Sequence, residues 1–207
     1  MIKGKLIKVC GMRQEDNIRS IACMKEPDLM GFIFYPKSPR MAHPVPTYLP
    51  ADKQRVGVFV NQEMDSILTF GEAYKLHYIQ LHGQETPAFC HQVKQYRYKI
   101  IKVFSVADEA DLDPIADYEG LCDFFLFDTK CKSYGGSGNR FNWGILDKYT
   151  GKTPFFLSGG IGPDSVMALH NFTHPLLAGY DLNSRFEISP GIKDYALLER
   201  FFKELSI

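Results

Sequence analysis

A membrane helix needs about twenty consecutive apolar residues, and no part of the 207-residue sequence supplies them. The first eight residues alternate lysine with apolar side chains around no apolar core, so neither a secretory signal nor a membrane span is expected there. An excess of either charge is also missing. Twenty-four Lys and Arg stand against 24 Asp and Glu, which gives no electrostatic argument for nucleic acid or an anionic membrane as partner. Cysteine is sparse: Cys10, Cys23, Cys90, Cys122 and Cys131 are odd in number, scattered and without a CxxC pair. No disulfide framework follows from them, and a reducing cytoplasm is the expected setting. Of the six histidines only His170 and His174 have helical i, i+4 spacing, with Pro175 directly after and no zinc-protease Glu between. They read as surface or capping residues, and no metal site is expected.

What is present is ordinary for a soluble globule: 45% hydrophobic and 23% charged residues. Short apolar runs recur at 6–10, 30–34, 56–60, 78–81, 100–104, 124–127, 154–157 and 176–181. Each has the length of a buried strand, is rich in Val, Ile, Phe and Tyr, and is bounded by Gly, Pro, Asp or Asn. Near-continuous apolarity within a run fits strands covered on both faces. The intervening stretches 14–25, 64–74, 87–96, 111–118, 143–149, 163–170 and 195–205 read as amphipathic helices. The connection 43–53 carries Pro44, Pro46 and Pro50, so its helix is short or degraded.

Eight strand–helix units with no linker or shift in composition predict one domain over 1–207, a closed parallel (β/α)8 barrel. An open doubly wound sheet is the rival. No glycine-rich dinucleotide turn follows the first strand, and eight even units exceed what such a sheet usually needs.

Barrel enzymes build their sites beyond the carboxyl ends of the strands. Those positions hold Cys10-Gly11, the 35–40 loop, Asn61, His82-Gly83, Asp128-Thr129-Lys130, Ser158-Gly159-Gly160 and 181–184. Nearly all are polar or glycine. After the seventh run, Ser158-Gly159-Gly160-Ile161-Gly162-Pro163 is a glycine turn feeding a helix start, where backbone N–H groups accept an anion such as phosphate. Tyr134-Gly135-Gly136-Ser137-Gly138-Asn139 suggests a flap. Cys10 is placed for chemistry, with Lys8 on the same strand face to help hold a thiolate. Asp128 ends an apolar run, so desolvation could make it a general acid; a helix cap or an ion pair with Lys130 is an equal alternative. Arg40, in a proline-stiffened loop, could clamp a carboxylate.

These residues resemble the phosphoribosylanthranilate isomerase family over nearly the whole chain. The carrying stretches are Lys8-Val9-Cys10-Gly11, Gly31 to Arg40 (GFIFYPKSPR), Val56 to Asn61 (VGVFVN) and Gln80-Leu81-His82-Gly83. Asp128-Thr129-Lys130, Ser158-Gly159-Gly160-Ile161 and Ser189 to Asp194 (SPGIKD) complete them. The resemblance implies a (β/α)8 enzyme of tryptophan biosynthesis, catalysing the Amadori rearrangement of N-(5-phosphoribosyl)anthranilate without a cofactor. It implies Asp128 as the acid that opens the furanose, Cys10 as the base that removes the C2 proton, and Arg40 as the carboxylate ligand. Gly159, Gly160, Asn183 and Ser184 would hold the phosphate, with Gln80, His82 and Asp181 completing the substrate contacts. A bell-shaped pH profile is expected, its high-pH limb belonging to Asp128 and its low-pH limb to Cys10.

Two departures stand out. Arg185 occupies a position that is commonly glycine in the family, and Asn142 one that is commonly aspartate. The expected partner is a phosphorylated small molecule, and association with or fusion to neighbouring tryptophan-pathway enzymes stays open. The histidine-pathway isomerase of the same chemistry uses paired aspartates in two similar half-barrels, and no half-to-half repeat is seen here. A non-catalytic, ligand-sensing barrel would be suggested by loss of Cys10 or Asp128. Both are present.

Overall fold

A computed structural model describes residues 1–129 and 142–207. Eight parallel strands close into a barrel in sequence order: β1 Leu6–Val9, β2 Leu29–Ile33, β3 Gln54–Phe59, β4 Tyr78–Leu81, β5 Lys99–Val106, β6 Phe124–Thr129, β7 Phe155–Leu157 and β8 Leu177–Leu182. β1 closes the ring on β8, pairing Lys8 with Asp181 and Val9 with Leu182. A two-stranded antiparallel ribbon, β9 Glu187–Ser189 with β10 Ile192–Lys193, follows β8.

Strand alternation sorts every side chain into one of two layers. Leu29, Val56, Tyr78, Ile101, Val103, Leu126 and Phe156 point inward and fill the barrel. Their neighbours, among them Ile7, Val9, Phe32, Ile79, Ile100, Phe125 and Phe155, point outward into a larger cluster under the helices. There Phe34 stacks on Phe70 with ring centroids 4.3 Å apart. Burying such a side chain is worth about 1.5–3 kcal/mol.

Five α-helices form among the described residues: α1 Glu15–Ala22, α2 Met64–Ala73, α3 Pro87–Lys94, α4 Val166–Asn171 and α5 Tyr195–Ser206. Thr86 caps α3 by accepting from Phe89 N at 3.2 Å, with Pro87 in its first turn. Asp194 caps α5 by accepting from Leu197 N at 3.0 Å.

Three of the expected α-helices are instead wholly or partly 3₁₀. Glu109–Tyr118 contains Pro114, which lacks the N–H an α-helix needs there. Trp143–Lys148 is a single six-residue 3₁₀ segment capped by Asn142, which accepts from Gly144 N at 3.1 Å. Pro163–Ser165 is a 3₁₀ turn that precedes α4. No helix forms in the proline-bearing connection 43–53.

Candidate active site

Inward alternation continues past the strand ends, because the ladder does. Cys10 N donates to Leu182 O at 2.8 Å, His82 N to Phe59 O at 2.8 Å, and Ser158 N to Phe127 O at 2.9 Å. Residues just beyond β1, β4 and β7 are thereby held as firmly as strand residues. With Asp128 near the end of β6 and Asp181 near that of β8, they ring the carboxyl-terminal mouth of the barrel.

A cavity of about 770 Å³, measured with its open mouth, lies inside this ring. All ten residues expected at the site line it: Cys10, Asp128, Arg40, Gln80, His82, Gly159, Gly160, Asp181, Asn183 and Ser184. Ile33, Val58, Val60 and Ile161 add apolar wall, while Tyr35, Ser38 and Ser158 add hydroxyls. The expected flap, Tyr134 to Asn139, and Lys130 lie outside the described residues.

Beneath the cavity, Lys8 is fully buried and donates from Nζ to Asp181 Oδ1 at 2.8 Å. Ser158 Oγ lies 3.4 Å from Asp181 Oδ2. Burial alone would lower the Lys8 pKa, but the charges of Asp181 and Cys10 raise it on balance, so the ammonium persists. Cys10 sits 3% exposed beside it. Burial pushes the Cys10 thiol up, and the opposing pull of Lys8 and Lys193 does not overcome it. Lys8 is thus present where sequence places it, yet it shares its charge with Asp181 and leaves the resting cysteine a thiol.

Asp128 shows the displacement expected of a general acid. Burial raises it to about 6, against the Thr129 amide, which donates to Oδ1 at 2.8 Å; the Asp181 charge adds to the rise. His82 Nε2 stands 3.8 Å from Asp128 Oδ2. Gly159 and Gly160 turn the chain at φ +82° and +71°, values that side-chain-bearing residues seldom adopt. A Cβ on Gly159 would lie 2.7 Å from Thr129 N and 3.1 Å from Asp128 Oδ1.

At the opposite rim, Arg40 is not a free clamp. Its Nε and Nη2 edge is taken by Glu187, with Nη2 to Oε2 at 2.8 Å. The Glu187 carboxylate also accepts from Lys193 Nζ at 2.6 Å and Gly191 N at 3.1 Å. Lys193, fully buried, reaches on to Asn183 Oδ1 at 2.8 Å. Neither Glu187 nor Lys193 was singled out from sequence, although Lys193 sits within the quoted Ser189 to Asp194 stretch.

The departure at Arg185 has a local explanation. Its side chain lies across Gly162, where a Cβ would come 2.9 Å from Arg185 Cδ, and it pairs with Asp164 at 3.1 Å. The arginine is accommodated by a glycine on the facing loop.

Residues 7–204 match the family model described as N-(5'phosphoribosyl)anthranilate (PRA) isomerase. The chain belongs to this family. It is 52% identical over 200 residues to the N-(5'-phosphoribosyl)anthranilate isomerase of Phocaeicola vulgatus, covering 97% of each chain. With that of Parabacteroides distasonis the identity is 47% over 206 residues, covering 97% of this chain and 93% of the relative. Among solved structures, the phosphoribosyl anthranilate isomerase of Thermotoga maritima superposes with a TM-score of 0.84 at 32% identity over 98% of both chains. Another isomerase of the family was solved with reduced 1-(o-carboxyphenylamino)-1-deoxyribulose 5-phosphate. It superposes with a TM-score of 0.82 at 29% identity, covering 97% of this chain and 98% of that one.

Proposed function

We propose that the chain, acting as a single catalytic domain over residues 1–207, converts N-(5-phosphoribosyl)anthranilate to 1-(2-carboxyphenylamino)-1-deoxyribulose 5-phosphate in tryptophan biosynthesis, with Asp128 as general acid and Cys10 as general base. The observation that supports these roles most is the shared cavity: a carboxyl raised to about 6 and a thiol beside a buried ammonium open into the same space.

Asp128 gives its proton to the furanose ring oxygen. The C1–O bond breaks, and the anilino nitrogen lone pair forms a C1–N iminium. Cys10, as thiolate, takes the C2 proton; the released electrons make a C1–C2 double bond and neutralise the nitrogen. The enol then tautomerises, its hydroxyl proton ending on C1 and the ketone on C2. The iminium cation next to Cys10 favours the thiolate at the moment it is needed. C2 is oxidised and C1 reduced within one carbon skeleton, so the reaction calls for no external electron carrier.

The remaining roles follow from position. Arg40 takes the aromatic carboxylate, and the turns at Gly159, Gly160, Asn183 and Ser184 take the phosphate. Gln80, His82 and Asp181 face the ribose between them. A cytoplasmic setting fits the family's biosynthetic role, and neighbouring enzymes of the same pathway are the natural candidates for association.

The test is direct: the purified chain mixed with phosphoribosylanthranilate should remove the anthranilate-type fluorescence. Cys10→Ser and Asp128→Asn should each lower kcat about 100-fold or more, with circular dichroism showing intact folds. Wild-type kcat in a folded Cys10→Ser protein would remove the cysteine from the mechanism.

A further inference from the structure

Gln80 and His82 occupy successive inward positions at the end of β4, and together they reach across the mouth of the barrel to Asp128. Gln80 Nε2 lies 3.2 Å from His82 Nδ1, and His82 Nε2 lies 3.8 Å from Asp128 Oδ2. Gln80 is 1% exposed, and its Oε1 is buried with no hydrogen-bond partner among the described residues. Such an orphaned acceptor costs stability unless something fills it. Gln80 lines the cavity, so a small turn of its amide presents Oε1 to a ligand hydroxyl, the group that would fill it.

The chain of donors then has one direction. A ligand hydroxyl donating to Oε1 fixes the amide with Nε2 towards the ring. That N–H₂ donates to His82 Nδ1, so Nδ1 must be the unprotonated nitrogen. Burial, helped by the Lys8 and Lys102 charges, lowers the imidazole pKa to about 4, which keeps the ring neutral with a single proton. That proton therefore sits on Nε2, facing Asp128. The groups around Asp128 itself are the Thr129 amide, the Ser158 hydroxyl, Lys8, Asp181 and His82. The amide already donates to Oδ1, and the Lys8 ammonium donates to Asp181. Oδ2 is the oxygen nearest the His82 ring.

We propose that Gln80 and His82 form a substrate-set positioning relay for Asp128: a ribose hydroxyl on Gln80 Oε1 locks His82 in the Nε2–H form, and that N–H receives the carboxylate left when Asp128 protonates the ring oxygen. The inference rests on the general-acid reading of Asp128. The 3.8 Å separation needs to close by roughly 1 Å, as catalytic hydrogen bonds commonly do on ligand binding. His82 is thus a positioning residue, acting through Asp128.

The test combines kinetics with nitrogen-15 NMR. His82→Leu should lower kcat about 10- to 100-fold, the scale of losing one aimed donor, with KM changed less than about threefold. Its Asp128 ionisation should move to higher pH, because the anion has lost a donor. His82→Gln, whose amide N–H falls near the lost Nε2–H, should recover at least about tenfold of that kcat. Gln80→Leu should lower kcat in the wild-type background and have no further effect in an Asp128→Asn background, since the acid is then already gone. In wild-type protein bound to a reduced product analogue, His82 should be protonated at Nε2. A kcat for His82→Leu within threefold of wild type, equal activity of the Leu and Gln variants, or protonation at Nδ1 would each overturn the relay. Wild-type activity in Asp128→Asn would instead overturn the general-acid reading beneath it.

Discussion

Arg40 and Glu187 meet edge to edge, the guanidinium Nε standing 3.0 Å from both carboxylate oxygens and Nη2 2.8 Å from Oε2. Glu187 is therefore the anchor that aims Arg40. It leaves Nη1, which makes no hydrogen bond among the described residues, for the carboxylate that the proposed substrate carries. Because Lys193 shares the same carboxylate, Glu187 sits between two cations and its pKa is held below the usual range despite burial. This depressed value means the stabilisation is present at neutral pH and lost as pH falls through it.

Glu187→Gln should therefore do more than loosen Arg40. It leaves the fully buried Lys193 without its anion, the situation in which breaking a buried pair costs about 3 kcal/mol or more. Urea unfolding at neutral pH should show that loss, together with a rise in KM. The difference from wild type should shrink in acid, where wild-type Glu187 is protonated as well. An unchanged urea midpoint at neutral pH would show that the hub contributes nothing.

Arg40→Ala should act on binding. Charge-assisted hydrogen bonds are worth about 1.5–3 kcal/mol, so KM should rise by roughly 10- to 100-fold while kcat changes less. Arg40→Lys should recover little, because an ammonium cannot serve Glu187 and a second carboxylate with one planar fork. If Arg40→Ala left KM unchanged and kcat collapsed, Arg40 would belong to proton transfer instead.

The pH profile depends on which of Asp128 and Cys10 ionises first. The proposed mechanism needs Asp128 protonated and Cys10 ionised, but the free site favours the reverse. Asp128 titrates near about 6, and burial holds the thiol above its ordinary value. The competent form is a minority at every pH, roughly one molecule in a few hundred or fewer when a thiol ionises above ~8.5. It appears once the fully protonated pair has lost one proton, and it disappears with the second. The bell remains, but its low-pH limb, near about 6, carries the Asp128 ionisation and its high-pH limb the thiol's. That reverses the order expected from sequence, which took Lys8 as a helper of the thiolate and could not show Asp181 holding it. The absorbance of wild-type thiolate minus that of Cys10→Ser should rise only in alkali. A Cys10-dependent signal complete by pH ~7 would restore the original order.

The barrel was legible because its strands are covered on both faces: runs such as Phe124-Phe125-Leu126-Phe127 admit little else. The top-face residues were legible for the same reason, as each polar residue at the end of an apolar run is conspicuous. What escaped were charges whose partners lie on other elements. Lys102 lies mid-run in β5 and is held by Glu85 at 3.1 Å and Gly83 O at 2.7 Å, a contact made across the strand's outer face. A lysine between Ile101 and Val103 was the available signal, and the apolar average of the run concealed it. Glu187 and Lys193 meet because β9 and β10 pair antiparallel with these two residues in register. The 3₁₀ segments were read as α because a short apolar pattern does not distinguish the two, although Pro114 did mark one.

Gly31 offers the sharpest check on how Cys10 is held. It faces Cys10 across the β1–β2 ladder, and a Cβ there would stand 2.8 Å from Sγ, 3.1 Å from Cα and 3.3 Å from Cβ of the cysteine. Gly31 therefore leaves the space the sulfur occupies. Gly31→Ala should push Sγ out of line with the cavity and strain the strand pair, costing about 1–3 kcal/mol as small-to-large changes in packed sites do. kcat should fall by about tenfold or more while KM moves little, since neither of the proposed anion-binding groups is touched. The sulfur's share of the strain is separable by removing the sulfur. In a Cys10→Ala background the same Gly31→Ala change should cost less, by about 1 kcal/mol, because only the backbone and Cβ contacts remain tight. Urea unfolding of the four proteins in this cycle measures the coupling. Additive costs would mean that Sγ is not pressed against Gly31 and that the glycine serves the backbone alone.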